Sequence, residues 1–499
     1  MIKKPQPLFI DDTIAAVATA VGEGGIGVLR VSGSSAFKVA GRIFELNQSD
    51  RSYIREEEAE VNDLIESLEP RRLYFGRIHN GGETIDYGFI VSFKDPLSYT
   101  GEDVVELQTH GGVVVMQAVL EAAMKAGARL AEPGEFTKRA YLNGKIDLTQ
   151  AEAVGELIRA KTTLSMRSAR VRLEGALSVR VDSIRDDIFA LTAGLEAELD
   201  FSEDEVNDIV SNDGEEDNFT ETLLDISAKL KELISTYNEG RNLRDGLTTA
   251  ILGKPNAGKS SLLNLLLREE RAIVTSEPGT TRDTIEELIS IRELPIRLID
   301  TAGLRESSDK IETAGIERAR KSFKRASLVL FVVDASKEDI EEDIRELEGL
   351  INESEESEDN NDKVILVILN KADLTDKDKL DAIAKGMGTR PYCSGTIPVS
   401  ALTGTGLDSL EDALFEAGTT TADAGSEGLC VATLRQLTAL NSAKDAVERV
   451  LKAKNEGLTK DALAVDLHLA LNNLGEVTGE VISDDAILDK IFHEFCIGK

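Results

Sequence analysis

A phosphate-binding loop constrains this chain more than any other feature of its sequence. The segment GKPNAGKS (253–260) fits the pattern GxxxxGK[ST], and it lies between the apolar run Thr248–Leu252 and the helical run Ser261–Leu267. A strand, such a loop and a helix in that order surround a phosphate with backbone N–H groups. The sequence therefore predicts a nucleotide site in which Lys259 neutralises the β- and γ-phosphates and Ser260 holds Mg²⁺.

A second motif selects the base. The tetrapeptide NKAD (370–373) follows the apolar run Val364–Leu369, and the carboxylate of Asp373 can accept hydrogen bonds from N1–H and N2–H₂ of guanine. Adenine lacks those donors, so binding it would leave the carboxylate without partners at a large energetic cost. The segment SAL (400–402) closes the same base pocket. These residues predict specificity for guanine.

Two further segments suit the γ-phosphate and its Mg²⁺. DTAG (300–303) follows the apolar run Ile296–Ile299, where Asp300 can order Mg²⁺ and the amide of Gly303 can sense the γ-phosphate. GTTRD (279–283) supplies the switch threonine. Five motifs in this order and spacing predict a GTPase.

The group that orients the attacking water is not evident from these motifs. Leu304 follows DTAG, where many signalling GTPases carry a glutamine, and an apolar side chain cannot orient water. Asn256 offers an amide oxygen that could ligate a monovalent cation in the place of an arginine finger. Asn256 could equally serve only to form the loop.

Composition and hydrophobic periodicity along the chain predict a multidomain α/β protein in four segments. Residues 1–140 mix glycine-rich turns, short β-type runs such as Thr13–Val21, and one helical pattern, which indicates an α+β domain. Residues 141–245 are helical, and 246–417 alternate buried strands with helices, which predicts a Ras-like, doubly wound and mostly parallel sheet. Helical periodicity resumes in 418–499 after a small-residue linker. The economical topology is a helical domain with the GTPase module inserted.

Charge is unevenly distributed. The chain carries 57 Lys+Arg and 91 Asp+Glu, a net charge of −34. Residues 186–228 and 338–362 together hold 28 acids and one arginine, and the latter ends in an acidic run that reads as a solvated loop. Residues 138–185 instead hold ten basic residues against five acids. That stretch is either an exposed helix face or a phosphate-contacting stripe, so the net charge does not exclude an RNA partner.

Cysteine usage and hydropathy predict a cytoplasmic protein. Three scattered cysteines are too few for a disulfide framework. The N-terminal sequence MIKKPQPLFIDD reaches two aspartates before any long apolar stretch, which argues against a signal peptide. No run approaches the roughly 18 apolar residues of a membrane-spanning helix.

Seven segments match one family from end to end. They are GGIGVLRVSG (24–33), YTGEDVVELQTHGG (99–112), EPGEFTKRAYLNGKIDLTQAEAV (132–154), GKPNAGKSSLLN (253–264), AIVTSEPGTTRD (272–283), DTAGLRE (300–306) and FCIGK (495–499). Through them the chain resembles the MnmE (TrmE) family of tRNA modification GTPases. The G motifs alone indicate only the GTPase superfamily, whereas the N-terminal segments and CIGK make the resemblance specific.

The resemblance implies a function beyond GTP hydrolysis. Members of the family bind a tetrahydrofolate (5,10-methylene or 5-formyl) in an N-terminal domain that also forms the homodimer. With the flavoprotein MnmG (GidA), in a heterotetramer or larger complex, they add an aminomethyl or carboxymethylaminomethyl group at C5 of the wobble uridine, U34, of certain tRNAs. Hydrolysis depends on K⁺ and on nucleotide-dependent dimerisation of the G domains.

The resemblance also assigns residues around GTP. The catalytic residues it implies are Glu312, which would position the water, with Lys259 and Thr281. Mg²⁺ would be held by Ser260 and Thr281, and K⁺ by Asn256, Thr275, Glu277 (through its backbone) and Thr280. The GTP-binding set is Asn256, Ala257, Gly258, Lys259, Ser260, Ser261, Thr275, Ser276, Glu277, Pro278, Gly279, Thr280, Thr281, Asp300, Thr301, Ala302, Gly303, Asn370, Lys371, Asp373, Ser400 and Ala401.

The folate site implied by the resemblance comprises Arg30, Glu106, Lys145 and Lys499. Basic groups suit the glutamate tail of folate, and a carboxylate can pair with the amide and amine donors of the pterin. Without the resemblance these residues would read as a strand-edge arginine, a helix-capping glutamate and a frayed terminus. Cys496, in the same terminal motif, could line the site as a thiol nucleophile or be a packed small residue.

Two other functions fit part of the sequence. The G motifs alone also suit a GTP-switched ribosome-assembly or signalling GTPase, which needs no folate site. A folate-dependent transferase acting on small molecules, with the G domain as its regulator, would use the N-terminal motifs but no tRNA.

Overall fold

The computed structural model describes residues 12–47, 65–200, 215–267, 286–299, 312–355, 363–419, 429–481, 485–493 and 495–498. The chain divides into two compact units. Residues 1–155 and 472–499 form the first, and residues 156–471 form the second.

The described strands and helices follow one another along both units. The strands are β1 (Ile14–Val17), β2 (Gly24–Ser32), β3 (Phe44–Leu46), β4 (Tyr74–Asn80), β5 (Glu83–Phe93), β6 (Val104–Gly111), β7 (Arg129–Leu130), β8 (Leu247–Leu252), β9 (Glu287–Ile291), β10 (Leu294–Ile299), β11 (Leu328–Asp334), β12 (Val364–Asn370) and β13 (Gly395–Pro398). The α-helices are α1 (Ala36–Gly41), α2 (Val113–Lys125), α3 (Glu135–Leu142), α4 (Leu148–Arg159), α5 (Thr163–Leu173), α6 (Ala176–Asp200), α7 (Glu215–Ser235), α8 (Tyr237–Asp245), α9 (Lys259–Leu266), α10 (Glu312–Arg325), α11 (Glu341–Glu355), α12 (Lys377–Met387), α13 (Leu407–Gly418), α14 (Leu434–Asn455), α15 (Lys460–Thr478) and α16 (Asp485–His493).

In the first unit, seven strands form a sheet in the order β3-β4-β5-β6-β2-β1-β7. Neighbouring strands are antiparallel except β1 and β7. Alternation along β2 buries Leu29 and Val31 on one face and leaves Val28 and Arg30 partly exposed on the other. Helices α1 and α2 contribute to the apolar core on the buried face. The predicted α+β fold of this segment is confirmed.

The glycine-rich run near the N-terminus lies partly within a strand. The sequence predicts a β-type run over Thr13–Val21, but β1 ends at Val17, and β2 begins within the glycine-rich run, at Gly24. The reason is close packing, since a Cβ at Gly27 would lie 2.2 Å from the Sδ of Met116. Glycine at this position permits close contact with α2 rather than ending the strand.

The C-terminal segment packs within the first unit. Leu488 and Phe492 of α16 form an apolar cluster with Leu148 and Ala151 of α4. A Cβ at Gly498, whose φ is +98°, would lie 2.2 Å from the carbonyl oxygen of Val17. The terminal motif is therefore pressed against the end of β1.

In the second unit, six strands form a sheet in the order β13-β12-β11-β8-β10-β9. All pairs are parallel except the hairpin of β9 and β10. Along β11, Leu330 faces one apolar core and Phe331 the other, so both faces of the sheet are covered. This is the doubly wound, mostly parallel sheet that the sequence predicts.

Helices precede and follow this sheet along the chain. Asn242 of α8 donates a hydrogen bond from Nδ2 to the carbonyl of Gly418, 3.1 Å away, so the places where the chain enters and leaves the α/β module are adjacent. Ser165 of α5 donates from Oγ to the carbonyl of Leu243 at 2.7 Å. This geometry agrees with a module inserted into a helical framework.

The second acidic stretch is mostly helical. The sequence pattern predicts a solvated loop at its end, but α11 extends to Glu355 because Ile344, Leu347 and Leu350 bury one side of the helix. Acids in its first turn are favourable beside the N-terminal end of the helix dipole. Residues 356–362, most of the linker 418–428 and residues 201–214 of the first acidic stretch lie outside the described residues.

The basic stretch 138–185 is not a uniform surface stripe. Arg139 is buried among the carboxylates of Asp12, Glu102 and Glu135, and Arg172 is buried against Glu156. These two arginines form buried ion pairs and are not part of a basic surface, because a buried guanidinium needs carboxylate partners. Exposed basic residues remain on α5 and the turn before it, namely Lys161, Arg167 and Arg170.

Within the described ranges, no helix is both long and apolar enough to cross a membrane.

Candidate functional site

The phosphate-binding loop connects β8 to α9 at the centre of the second sheet. Gly253 and Gly258 have φ angles of +131° and +98°, and Asn256 has a φ of +63°, in the left-handed region. A Cβ at Gly253 would lie 2.2 Å from the carbonyl oxygen of Val332. The two glycines therefore fix a narrow loop whose amides, with the first turn of α9, fit a phosphate chain.

Lys259 holds this loop closed. Its ammonium donates hydrogen bonds to the carbonyls of Gly253 and Lys254, each at 2.7 Å. Burial lowers the pKa of Lys259, and the charge of Glu346 offsets part of this effect. A half-desolvated cation beside the loop suits a polyphosphate, since the attraction between charges grows as water is excluded.

Asn370 joins three parts of the site. Its Nδ2 donates to the carbonyl of Ala257 at 2.7 Å, and its Oδ1 accepts the amide of Ala401 at 3.0 Å. A Cβ at Gly258 would lie 1.9 Å from Asn370 Nδ2. The structure thus brings together the phosphate loop, the NKAD segment and the SAL segment, as their motifs predict.

An aspartate that the sequence motifs do not include contacts the NKAD segment. Asp334 ends β11 and pairs in parallel register with Asn370 at the end of β12. Its Oδ2 lies 2.5 Å from the Nζ of Lys371, and its Oδ1 accepts the amide and hydroxyl of Ser336. Burial raises the pKa of Asp334, but the hydrogen bonds from Lys371 and Ser336 outweigh it, and the pKa lies below its ordinary value. One feature of the sequence could have identified Asp334. It is the acidic residue that directly follows the apolar run of β11.

The side chain that the NKAD motif predicts to recognise guanine faces solvent. Asp373 lies exposed in a 3₁₀ turn (Ala372–Leu374), and buried Ser400 holds the neighbouring loop by accepting the amide of Thr403 at 3.2 Å. Leu374 and Leu402 are 69% and 84% exposed. A purine ring has apolar surface available at the rim of this pocket, with a carboxylate beside it.

Several predicted GTP-site residues fall outside the described ranges. Glu312 is the first residue of α10, and Ser260 and Ser261 lie in the first turn of α9. The predicted residues that are not described are Thr275, Ser276, Glu277, Pro278, Gly279, Thr280, Thr281, Asp300, Thr301, Ala302 and Gly303.

Arg30 and Glu106 of the predicted folate site form a pair. They lie opposite each other on β2 and β6, with Arg30 Nη2 2.7 Å from Glu106 Oε1. The guanidinium of Arg30 lies 5.6 Å from the ring centroid of Tyr99 and 5.7 Å from that of Phe136. Arg30 is therefore an interior strand residue rather than an edge one, and Glu106 caps no helix. Tyr99 and Phe136 both lie within segments that match the family, but the sequence alone did not identify them as site residues.

Two other parts of the predicted folate site lie nearby. The stem of Lys145 packs against Gly101, two residues from Tyr99, and its Nζ donates to the carbonyl of Pro96 at 2.8 Å. Cys496 is an exposed free thiol in the terminal segment that packs against β1, and Lys499 lies outside the described residues. Arg30 pairs with Ala16 of β1, and Gly498 packs against the next residue, Val17. The terminal segment therefore lies close to Arg30.

Comparison with known proteins identifies the family. The profile of the MnmE helical domain matches residues 148–496, and that of the N-terminus of the GTP-binding protein TrmE matches residues 13–145. The tRNA modification GTPase MnmE of Alkaliphilus metalliredigens is 40% identical over 494 residues, covering 99% of this chain and 100% of that protein. The MnmE of Thermotoga maritima is 41% identical over 489 residues, covering 98% of this chain and all of that protein.

A solved structure of the GTPase Era from Aquifex aeolicus, bound to GDP and AlF₄⁻, is 28% identical over 40% of this chain and 66% of that one. Its TM-score is 0.27, which is too low to support an argument. The full-length matches and the two profiles do not depend on it. The chain therefore belongs to the MnmE family of tRNA modification GTPases.

Proposed function

We propose that this chain is a K⁺-dependent GTP hydrolase that acts with an MnmG-type flavoprotein to modify C5 of the wobble uridine, U34, of certain tRNAs. A tetrahydrofolate supplies the one-carbon unit, and the product carries an aminomethyl or carboxymethylaminomethyl group. The observation that carries the GTPase part is the pair of hydrogen bonds made by the side chain of Asn370, which donates to the carbonyl of Ala257 and accepts the amide of Ala401. These bonds link the phosphate loop to the proposed base pocket.

The nucleotide residues have distinct roles in this proposal. Lys259 neutralises phosphate charge and Ser260 ligates Mg²⁺ together with Thr281. Asp373 recognises guanine, while Asn256 supplies a side-chain ligand for K⁺. The proposed role of Asn256 is supported by its left-handed backbone, which places it at the outer turn of the loop, where it is exposed. Bound Mg²⁺ and K⁺ would offset the negative charge that develops on the phosphates during hydrolysis.

Further residues complete the hydrolytic site. Glu312 positions the attacking water, because Leu304 cannot. K⁺ is also bound by Thr275, Thr280 and the backbone of Glu277. Glu312 begins α10, which follows the DTAG segment along the chain, and a negative charge is favourable at a helix N-terminus.

The proposed folate site comprises Arg30, Glu106, Lys145 and Lys499, with Cys496 at its margin. The first two are charged side chains side by side on an outward sheet face, and the rings of Tyr99 and Phe136 flank the guanidinium. Such a set fits folate, whose pterin needs a carboxylate and whose glutamate tail needs cations.

The domain division and partners are part of the same proposal. Residues 1–140 form the folate-binding and dimerisation domain, 141–245 and 418–499 the helical domain, and 246–417 the G domain. The adjacency of Asn242 and Gly418 supports the insertion of the G domain. Two chains join through their N-terminal domains, the G domains dimerise when nucleotide is bound, and the flavoprotein and tRNA complete the complex.

A hydrolysis assay tests the core of the proposal. GTP turnover by the full-length chain should be faster in K⁺ than in Na⁺ at equal ionic strength, and Asn256→Ala should remove the difference while GDP still binds. Equal wild-type rates in both salts would reject the cation role. A binding assay with 5-formyltetrahydrofolate separates this function from a ribosome-assembly GTPase, which has no use for a folate.

A further inference from the structure

A histidine and an aspartate that the proposed function does not use form a close pair in the first sheet. Asp86 of β5 accepts the backbone N–H of His110 of β6 at 2.9 Å. The Nδ1 of His110 lies 2.9 Å from Asp86 Oδ1 and 3.0 Å from Oδ2. The amide of Tyr87 donates to the same carboxylate at 2.8 Å. Both oxygens of Asp86 are therefore engaged in holding one imidazole ring.

The pair defines the tautomer of the ring. Burial raises the pKa of Asp86, but the hydrogen bonds from His110 and Tyr87 outweigh it, and the pKa lies below its ordinary value. An ionised carboxylate accepts hydrogen bonds and cannot donate them, so the proton of the neutral imidazole is on Nδ1. The lone pair is then on Nε2, the nitrogen that a proton donor would approach.

Exposure separates the two members of the pair. The side chain of His110 is 76% exposed, and that of Asp86 is 12% exposed. The carboxylate is the sheltered member of the pair, and the imidazole that it holds is open to solvent. A sheltered carboxylate behind an accessible imidazole is the arrangement used for proton transfer.

The backbone around the pair is tightly fixed. Between the register pairs Ile78–Asp86 and His79–Thr84, strand β5 contains one extra residue, which is a bulge beside Asp86. A Cβ at Gly111 would lie 2.6 Å from the carbonyl oxygen of Gly24, so the chain after His110 packs closely against β2. Bulges re-aim neighbouring side chains, and rigid supports improve the precision of a site.

The pair shares a sheet face with the proposed folate site. Glu106, Gln108 and His110 alternate onto one face of β6, and the four strand steps from Glu106 to His110 span about 13 Å. Phe89 lies opposite Gln108, and both Phe89 and Tyr87 are exposed on the neighbouring strand. Exposed aromatic rings offer a stacking surface for a flat ring.

We propose that His110 and Asp86 form a proton-transfer dyad for a planar heteroaromatic ligand that stacks on Phe89 and Tyr87. His110 is the catalytic residue and Asp86 its positioning residue. One proton moves: an N–H bond forms at Nε2, a C–H or N–H bond of the ligand breaks with its electron pair staying on the ligand, and Asp86 balances the imidazolium charge. This inference rests on the proposed function, which provides two such rings, the pterin of the folate and the uracil of the tRNA.

A spectroscopic experiment tests the geometry without any turnover. The chain has four histidines, so ¹⁵N-histidine labelling of the full-length protein gives few signals, and His110→Gln identifies the one that matters. The neutral ring of His110 should be the Nδ1–H tautomer, and Asp86→Asn should shift it toward the Nε2–H tautomer. An Nε2–H tautomer in the wild type would overturn the proposal.

Ligand addition then identifies the ring. Addition of 5-formyltetrahydrofolate should shift the His110 signal if the pterin is the ligand, and addition of an anticodon stem-loop RNA with U34 should do so if uracil is. Either shift supports the dyad and names its ligand. The absence of a shift with both probes overturns it.

A rate measurement with a matched control completes the test. His110→Gln should slow single-turnover tRNA modification by about 100-fold or more, the range of general acid–base catalysis, and Asp86→Asn should slow it by about tenfold. GTP turnover should stay unchanged. His468→Gln is the control, because His468 also contacts a carboxylate, Glu196 at 2.7 Å, but with both side chains about half exposed. A modification rate for His110→Gln within twofold of wild type would overturn the proposal.

Failure of the proposed function would look different. If the wild-type chain modified no uridine, the proposed function would be rejected, while the tautomer and the ligand shifts would still decide whether the dyad exists. If the wild type is active, and His110→Gln retains full activity and an unchanged folate affinity, the dyad is rejected while the proposed function stands.

Discussion

The ammonium of Lys371 lies 2.5 Å from the carboxylate of Asp334, at the adjacent ends of β12 and β11. Lys371 has a φ of +63°, so the NKAD segment turns sharply where this ion pair is made. Asp334 is mostly buried and is held in turn by the amide and hydroxyl of Ser336. The pair therefore anchors the lysine of the NKAD segment to the strand beside it.

We expect Asp334→Asn to weaken guanine-nucleotide binding without changing base preference. Loss of a charge-assisted hydrogen bond is worth about 1.5–3 kcal/mol, or a decrease in affinity of roughly 10- to 150-fold. The affinities for GTP and XTP should fall by the same factor, as measured by fluorescence titration. An unchanged GTP affinity would show that the ion pair does not support the pocket.

Asp373→Asn should change the base preference, unlike Asp334→Asn. In the proposed site the carboxylate pairs with the base alone, so its replacement should lower the affinity for GTP by about 1–3 kcal/mol and raise that for XTP, which presents an acceptor where guanine has an amine. Competition binding with both nucleotides measures the ratio. A parallel loss for both would mean that Asp373 acts on the loop rather than on the base.

Gly258→Ala should abolish tight nucleotide binding. The added Cβ would lie 1.9 Å from Asn370 Nδ2, and the φ of +98° is unfavourable for alanine. Gly349→Ala in α11 is the matched control, because nothing lies within 4 Å of its Cβ. That helical change should raise the unfolding free energy by about 0.5–1 kcal/mol and leave GTP affinity intact. Denaturant titrations and GDP binding on both variants provide the comparison.

The buried cluster around Arg139 predicts the acid sensitivity of the first unit. Burial raises the pKa values of Asp12 and Glu135, but hydrogen bonds from Arg129 and Arg139 outweigh it, and both pKa values lie below their ordinary 3.8 and 4.5. A carboxylate with a lowered folded-state pKa stabilises the fold above its ordinary value and loses that contribution as the pH falls through the folded value. The unfolding free energy should therefore decline below about pH 4.5.

Arg139→Met checks the origin of that decline. Removing one partner of a buried ion pair costs about 3–5 kcal/mol at neutral pH, because carboxylates are left buried without it. The variant should also lose less stability on acidification than the wild type, since protonation relieves carboxylates that have lost one of their cationic partners. Parallel denaturation curves at pH 7 and pH 4 measure both effects, and equal pH slopes would exclude the cluster as the cause.

Local pattern was enough to predict the architecture of the second unit. Apolar runs such as Leu328–Val333 can be buried on both sides only in a covered parallel sheet, and the loop at 253–260 requires a strand before it and a helix after it. The same reasoning placed Asn370 and Lys259 in one site. Short-range sequence constraints determine these features, and the structure agrees with them.

Long-range partners were not accessible from the sequence. Arg139 and Arg172 read as part of a basic surface, because a sequence shows a charge but not the carboxylate that a distant segment brings to it. Asp334 and Asp86 were missed for the same reason, since their significance comes from Lys371 and His110 on neighbouring strands. The folate residues came from resemblance alone, and only the register of β2 and β6 explains why Arg30 and Glu106 are adjacent.

Mass spectrometry of tRNA nucleosides tests the central claim most directly. Cells lacking this chain should lose the C5 modification of the wobble uridine, and wild-type chain should restore it. Gly258→Ala should fail to restore it at equal protein level, while Gly349→Ala should succeed. A normal nucleoside profile in the deletion strain, with no second copy of the gene, would contradict the account.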